Sequence, residues 1–347
     1  MGASEHAWFR GRRFTRSIWL RSIRGPRPQA DLWVPIRCCE PKWACARLGP
    51  HLLGSASPLP LFLLQYGVSP IPIGVGNSDE QSAFLKVHAP FLRYFPVLKA
   101  LAEKTLCRTL PPPPQSEVDR LLSRPISDPE VLAFEDKVTT DRVVFFLGRV
   151  AIDDFSEILV LSGNGLGIGA YKVLRGMYEK VVHAVYLDKH EVAARRFARQ
   201  SDVYKEKLAT RLQEFDINIL AGFTAQDIAD LKQRAKAAKM DKPLPNLADM
   251  SKVSPHLHPL YGPYYLEPTV HLHANAFGLE RRLLQNPAGG YRYNEADYRH
   301  QARRALLLGH NLFIQVLAVQ NSRFDLGLGA DLEGCAKAFT EIWGPTP

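Results

Sequence analysis

The side chains best suited to chemistry in this chain are histidines and carboxylates. His256-Leu257-His258 and His271-Leu272-His273 are two H-x-H pairs, and Asp153, Asp154, Glu157 and Glu179 place acids on segments of helical spacing. Imidazole with carboxylate is the donor set of zinc and non-haem metal sites. A di-metal bundle needs Glu-x-x-His on two helices, whereas the comparable step here is Glu179-x-x-x-His183. Cys38, Cys39 and Cys45 lack a second nearby Cys or His pair at zinc spacing. These histidines are therefore expected to be hydrogen-bonded structural groups, with no metal and no cofactor required.

Arg175 and Glu179 stand four residues apart, with His183 one turn later, so Arg175 can pair with Glu179 along a helix. The run Leu159-Val160-Leu161, followed by Gly165, Gly167 and Ala170, has the G-x-G-x-x-A spacing of a dinucleotide-binding turn. In such a turn the glycines let backbone approach a pyrophosphate at a helix N-terminus. The turn also needs a strand before it and an acid about 20 residues on, after a second strand; Asp188 has the right count but follows a helical pattern. Gly163 to Gly169 is expected instead to join two antiparallel helices. A serine nucleophile finds no G-x-S-x-G elbow. Tyr261, Tyr264, Tyr265, Tyr291, Tyr293 and Tyr298 gather late in the chain, where they can stack on bases or close a bundle with their hydroxyls at its rim.

These groups must be carried by helices. Phe84, Leu85, His88, Phe91, Leu92, Phe95, Leu98, Leu101 and Ala102 recur at steps of three and four, with Pro90 and Pro96 as expected kinks. Pro111 to Pro114 is a spacer, followed by a short helix at Glu117 to Leu122 and a long one from Pro129. In the long helix Leu132, Val143, Val144, Leu147, Ala151, Phe155, Ile158 and Leu159 share a face. Ala170, Leu174, Met177, Val181 and Val185 then form a stripe opposite Lys172, Arg175, Glu179 and His183, an amphipathic helix of about five turns. Residues 191–215, 224–239, 295–320 and 331–343 read as further helices, with almost no strand. The expected fold is all-α, a bundle of roughly seven to nine helices over residues 81–347.

Residues 1–80 read differently. Residues 1–50 hold ten Lys or Arg against three acids, a net of +7, so the rest of the chain carries only +2 of the formal +9. Proline recurs from Pro26 to Pro72. A disordered, basic, proline-rich leader or an over-extended start is expected there. Five cysteines, an odd number without a clean export signal, suggest reduced thiols in a cytoplasm. No stretch approaches the roughly 18 to 20 apolar residues of a membrane span. A homodimer is left open.

The segment Asp153-Asp154-Phe155-Ser156-Glu157, the glycines, Tyr171 to Glu179, then Tyr186-Leu187 and Ala194-Arg195-Arg196-Phe197, resembles a bacterial helical family called domain of unknown function 5677. The likeness runs over about residues 128 to 320 and lies in a Leu-Arg-x-x-x-Glu helix, a Tyr-Leu pair and a late Ser-x-x-x-His step, where Thr269 replaces Ser and His273 takes the His position. It implies an all-helical fold without a settled activity. The late His segment also resembles, distantly, the helical HEPN domains, whose ribonucleases pair an Arg with a His acting as general acid or base. The positions that would hold that Arg before His273 are Pro268, Glu267 and Leu266, so Arg175, Arg281 or Arg282 would have to supply it.

The resulting expectation is an interaction or nucleic-acid-associated module, with RNA or protein as partner, built around a buried cluster of Arg175, Glu179 and His273. The alternative is a metal-independent endoribonuclease using His273. If the likeness holds, Arg175 and Glu179 should lie across the bundle from Thr269 to His273.

Overall fold

The computed structural model describes residues 78–106, 109–125, 127–213, 223–272, 276–280, 282–287, 289–293 and 296–344. The expected leader falls almost wholly outside this range, as do Cys38, Cys39, Cys45, Cys107, Arg281 and His273. Among the described residues the chain is helical: α1 (Ser78–Val87), α2 (Ala89–Leu106), α3 (Gln115–Leu122), α4 (Pro129–Gly163), α5 (Gly167–Lys189), α6 (Glu191–Gln213), α7 (Ala225–Lys239), α8 (Leu247–Ser251), α9 (Glu267–Leu272), α10 (Ala276–Glu280), α11 (Ala296–Phe324) and α12 (Gly329–Trp343). Nine of these reach seven residues or more, the upper end of the expected number. A feature absent from the sequence reading is an antiparallel hairpin, β1 (Leu283–Gln285) with β2 (Tyr291–Tyr293), Leu284 facing Arg292. No described helix is long and apolar enough to cross a membrane.

The described chain divides into two compact units. The smaller, residues 112–131, holds α3 and the first residues of α4. Within it Glu130 pairs with both Arg120 and Arg124, and Asp128 lies 3.5 Å from Arg124.

The larger unit holds the remaining elements. Its first helices separate at His88, and Pro90 falls in the first turn of α2, where a missing N–H costs nothing. Pro96 lies inside the helix. The joint between α4 and α5 matches the expectation. Gly165 takes φ +74°, Gly165 N–H bonds to Ser162 O at 3.2 Å and Leu166 N–H to Leu161 O at 2.8 Å, a Schellman arrangement that needs glycine at the left-handed position. A helix rather than a strand precedes the glycines, so the dinucleotide reading has no scaffold. Asp154 meets Lys180 and Thr140 meets the Glu191 carbonyl, so α4 and α5 run antiparallel.

Val144, Ala151, Phe155 and Ile158 of the expected α4 face are buried, while Leu132, Val143, Leu147 and Leu159 are half-buried. Phe155 packs on Phe313 of α11 at 4.7 Å and edge-on to Phe91 of α2 at 6.3 Å. Gly309 permits this closeness, since a Cβ there would sit 3.2 Å from Phe155. Near the end of α11, Arg323 binds Asp141 at 2.7 Å, Glu191 at 2.7 Å and Asp188 at 3.6 Å, joining α11 to α4, α5 and α6 through one guanidinium. Asp188 is thereby a structural acid.

Candidate functional site

Helix α5 is the axis of the larger unit. From Gly167 to Asp188 none of its residues is exposed, so the polar face of the expected amphipathic helix is half-buried. A half-buried polar side chain must find partners, and on α5 they come from the helix itself, from α4 and from the segment before α9. Lys180 binds Asp154 at 2.6 Å; burial nevertheless pushes the Asp154 carboxyl above its usual range, with Lys180 opposing. His183 Nδ1 lies 2.6 Å from the Glu179 carbonyl, which only accepts, so the proton is on Nδ1.

Arg175 carries the link to the late segment. Its Nη2 donates to Tyr265 Oη at 2.9 Å, its Cζ lies 4.5 Å from the Tyr265 ring centroid, and Glu179 Oε1 is 3.1 Å from Nη2. Tyr261 stacks on Tyr265 at 5.1 Å and 22°. Among the described residues the buried Arg175 Nε meets no acceptor. The Arg175 and Glu179 side chains are 24% and 39% exposed, so the pair stands at a rim rather than in the interior expected of it. Tyr265 covers one side, and the pair keeps only partial access to solvent.

The late segment has its shape for local reasons. Residues 258–260 form a 3₁₀ turn and Gly262–Leu266 a π-turn, in which Glu267 N–H bonds back five residues to Gly262 O. The next donor in that register is Pro268, which has no N–H. The Pro263 carbonyl is thus left for Tyr171 Oη of α5, which donates to it at 3.1 Å. Thr269 Oγ1 donates to Tyr265 O at 2.5 Å. Tyr178 Oη donates to Leu257 O at 2.9 Å, and its burial pushes the phenol up to about 12. Glu267 grips Arg304 of α11 through two bonds of 2.8 and 2.5 Å. The segment is therefore held to α5 and α11 by tyrosines and one bidentate ion pair.

Of the expected site, the structure brings Arg175 against the late segment, with Tyr265 rather than Thr269 as the contact, while Glu179 meets Arg175 on their own helix. His273 lies outside the described residues. His271 is buried, its ring 6.0 Å from Tyr171. His256 and His258 are exposed, and His258 Nδ1 sits 3.0 Å from Ser251 Oγ, surroundings unlike those of the buried His271. Among the described residues no three His, Cys, Asp or Glu side chains converge as a cation site. Cys335 is a free, buried thiol. Sequence reasoning missed Tyr171, Tyr178, Glu267 and Arg304; the clustered tyrosines were a signal, but Arg304 carried none.

Residues 141–291 match the profile of a family of unknown function, DUF5677. This span is narrower than the resemblance drawn from sequence. It contains α5, the π-turn and the whole Arg175–Glu179–Tyr265–Tyr261 corner. No curated protein and no solved structure matches the chain.

Proposed function

We propose that this protein is a recognition module without catalytic chemistry of its own, and that the Arg175 corner takes a base of single-stranded RNA. The observation that carries this reading is the Tyr261–Tyr265 stack at a partly open rim, with Arg175 against Tyr265 and the Glu179 carboxylate beside it. A stacked phenol offers its π-face to any base. A guanidinium adds charge and stacking, and a carboxylate accepts the N–H groups of a base edge. The basic leader, net +7 over residues 1–50, would add a sequence-independent attraction to phosphate.

The test is fluorescence anisotropy of the full chain with a labelled mixed-sequence single-stranded RNA 12-mer at near-physiological salt. Tyr261→Ala and Arg175→Gln are compared with wild type, so that the leader contributes equally to all three. One lost stack is worth about 1–3 kcal/mol, a fall in affinity of about five- to 150-fold. Equal affinity in all three proteins refutes the reading. Shortening of the RNA that disappears in His273→Ala replaces it with the nuclease reading.

A further inference from the structure

Helices α6 and α7 pair chiefly with each other. Ala209 of α6 and Leu231, Ala235 and Ala238 of α7 are buried. Asp202 meets Arg234 at 3.1 Å, Glu206 meets Lys239 at 3.0 Å, and Asp241, just past α7, meets Arg199 at 3.2 Å. The hairpin starts beside the Arg175 corner. His183 follows Glu179 by one turn on α5, and its ring lies 5.2 Å from that of Phe197, early in α6.

The charges of this hairpin are sorted by side. On α7, Lys232, Lys236 and Lys239 follow at steps of four and three and share a face, whereas Asp227, Asp230 and Arg234 follow at three and four and share the opposite one. Lys239 bound to Glu206 and Arg234 bound to Asp202 mark the two sides of the seam. On the Lys239 side α6 adds Arg199 and Lys207, about two turns apart. The acids there, Glu206 and Asp241, are already neutralised by Lys239 and Arg199, while Asp227 and Asp230 lie on the other side, bonded to Thr224 and Gln226. Lys207, Lys232 and Lys236 are exposed and have no ion pair or hydrogen bond among the described residues. Three uncompensated ammonium groups on one side of a hairpin complement a polyanion, since a point charge meets a phosphate without demanding fixed geometry. Tyr204, 68% exposed and one turn before Lys207, offers its ring to a base beside that track. A membrane fits less well, because the exposed α7 positions among these lysines, Gln233 and Ala237, carry no large apolar group to insert. We infer that this side of the α6–α7 hairpin carries the phosphates of the single-stranded RNA proposed above, with Lys207, Lys232 and Lys236 as the contacts. The choice of RNA rests on the reading of the Arg175 corner.

Anisotropy of the full chain with the labelled 12-mer, repeated at salt from about 0.05 to 0.5 M, reads phosphate contacts from the salt slope. Each phosphate neutralised on a single strand contributes about 0.7 to the slope of log affinity against log salt. Lys207→Gln, Lys232→Gln and Lys236→Gln combined should therefore lower its magnitude by roughly 2, with a fall in affinity of roughly a hundredfold near 0.1 M. All three positions are exposed, so the circular dichroism melt should not change. Lys86→Gln, Lys104→Gln and Lys337→Gln combined remove the same charge from exposed positions of α1, α2 and α12 and should leave the slope at its wild-type value. Equal effects of the two triple variants would mean diffuse attraction and overturn the inference. A slope unchanged in the hairpin variant overturns it too, and if that variant instead loses binding to phosphatidylserine vesicles, the hairpin is a membrane contact. Tyr261→Ala separates this inference from the corner: weakened binding there with an unchanged slope in the hairpin variant removes the hairpin alone, and the converse result removes the corner alone.

Discussion

Acid should loosen the larger unit through a histidine at the heart of its aromatic cluster. His310 of α11 is fully buried, ringed by Phe91 at 5.2 Å, Phe339 at 5.2 Å and Tyr94 at 6.2 Å, and its Nδ1 accepts from Trp343 Nε1 of α12 at 3.0 Å. An imidazolium there would lose that acceptor and place a charge among apolar rings. Burial accordingly lowers its pKa from 6.5 to about 4. The unfolded chain then binds the proton more readily than the folded one. Stability from this group is intact above about pH 6.5, declines as pH falls below that value, and levels off below about 4. The difference corresponds to about 2 kcal/mol lost at pH 5 and about 3 kcal/mol below pH 4. His88, also buried and lowered to about 4 by desolvation and then Arg303, adds a share of similar size. The informative substitution is His310→Asn, whose amide oxygen keeps an acceptor for Trp343 while removing the titration. Urea denaturation at pH 7 and pH 5, followed by circular dichroism, should show the variant losing about 2 kcal/mol less than wild type between the two values. Equal losses would refute the reasoning and mean that His310 does not resist protonation in the fold.

Two further substitutions probe the positions that bring the helices together. Glu179→Ala should cost only about 1 kcal/mol in urea denaturation, because the ion pair is partly in water and Arg175 retains Tyr265; a loss above about 3 kcal/mol would mean that the pair is sealed. Gly148→Ala would put a Cβ 2.4 Å from Gln320 Nε2, which donates to Val144 O at 2.8 Å in the interior. Displacing that buried amide should cost about 1–3 kcal/mol, and an unchanged denaturation midpoint would show that the site yields without losing its hydrogen bond.

The sequence by itself determined the helices and where they break. Periodicity is a local property, so the α4 core stripe and the prolines around α2 were legible from composition and spacing. So was the Gly165 turn, because a left-handed position demands a residue without a Cβ. Only the tertiary structure decided which polar groups meet. Arg175 and Tyr265 lie 90 residues apart, and their contact depends on Tyr171, Tyr178 and the Glu267–Arg304 pair holding the π-turn against α5. Spacing marked a polar side on α5 but not how far it would be covered, because residue type does not reveal how many neighbours will cover a helix. The same limit hid the bond between Trp343 and His310: a histidine on an apolar stripe is the same letter whether it is solvated or sealed, and packing from three helices makes the difference.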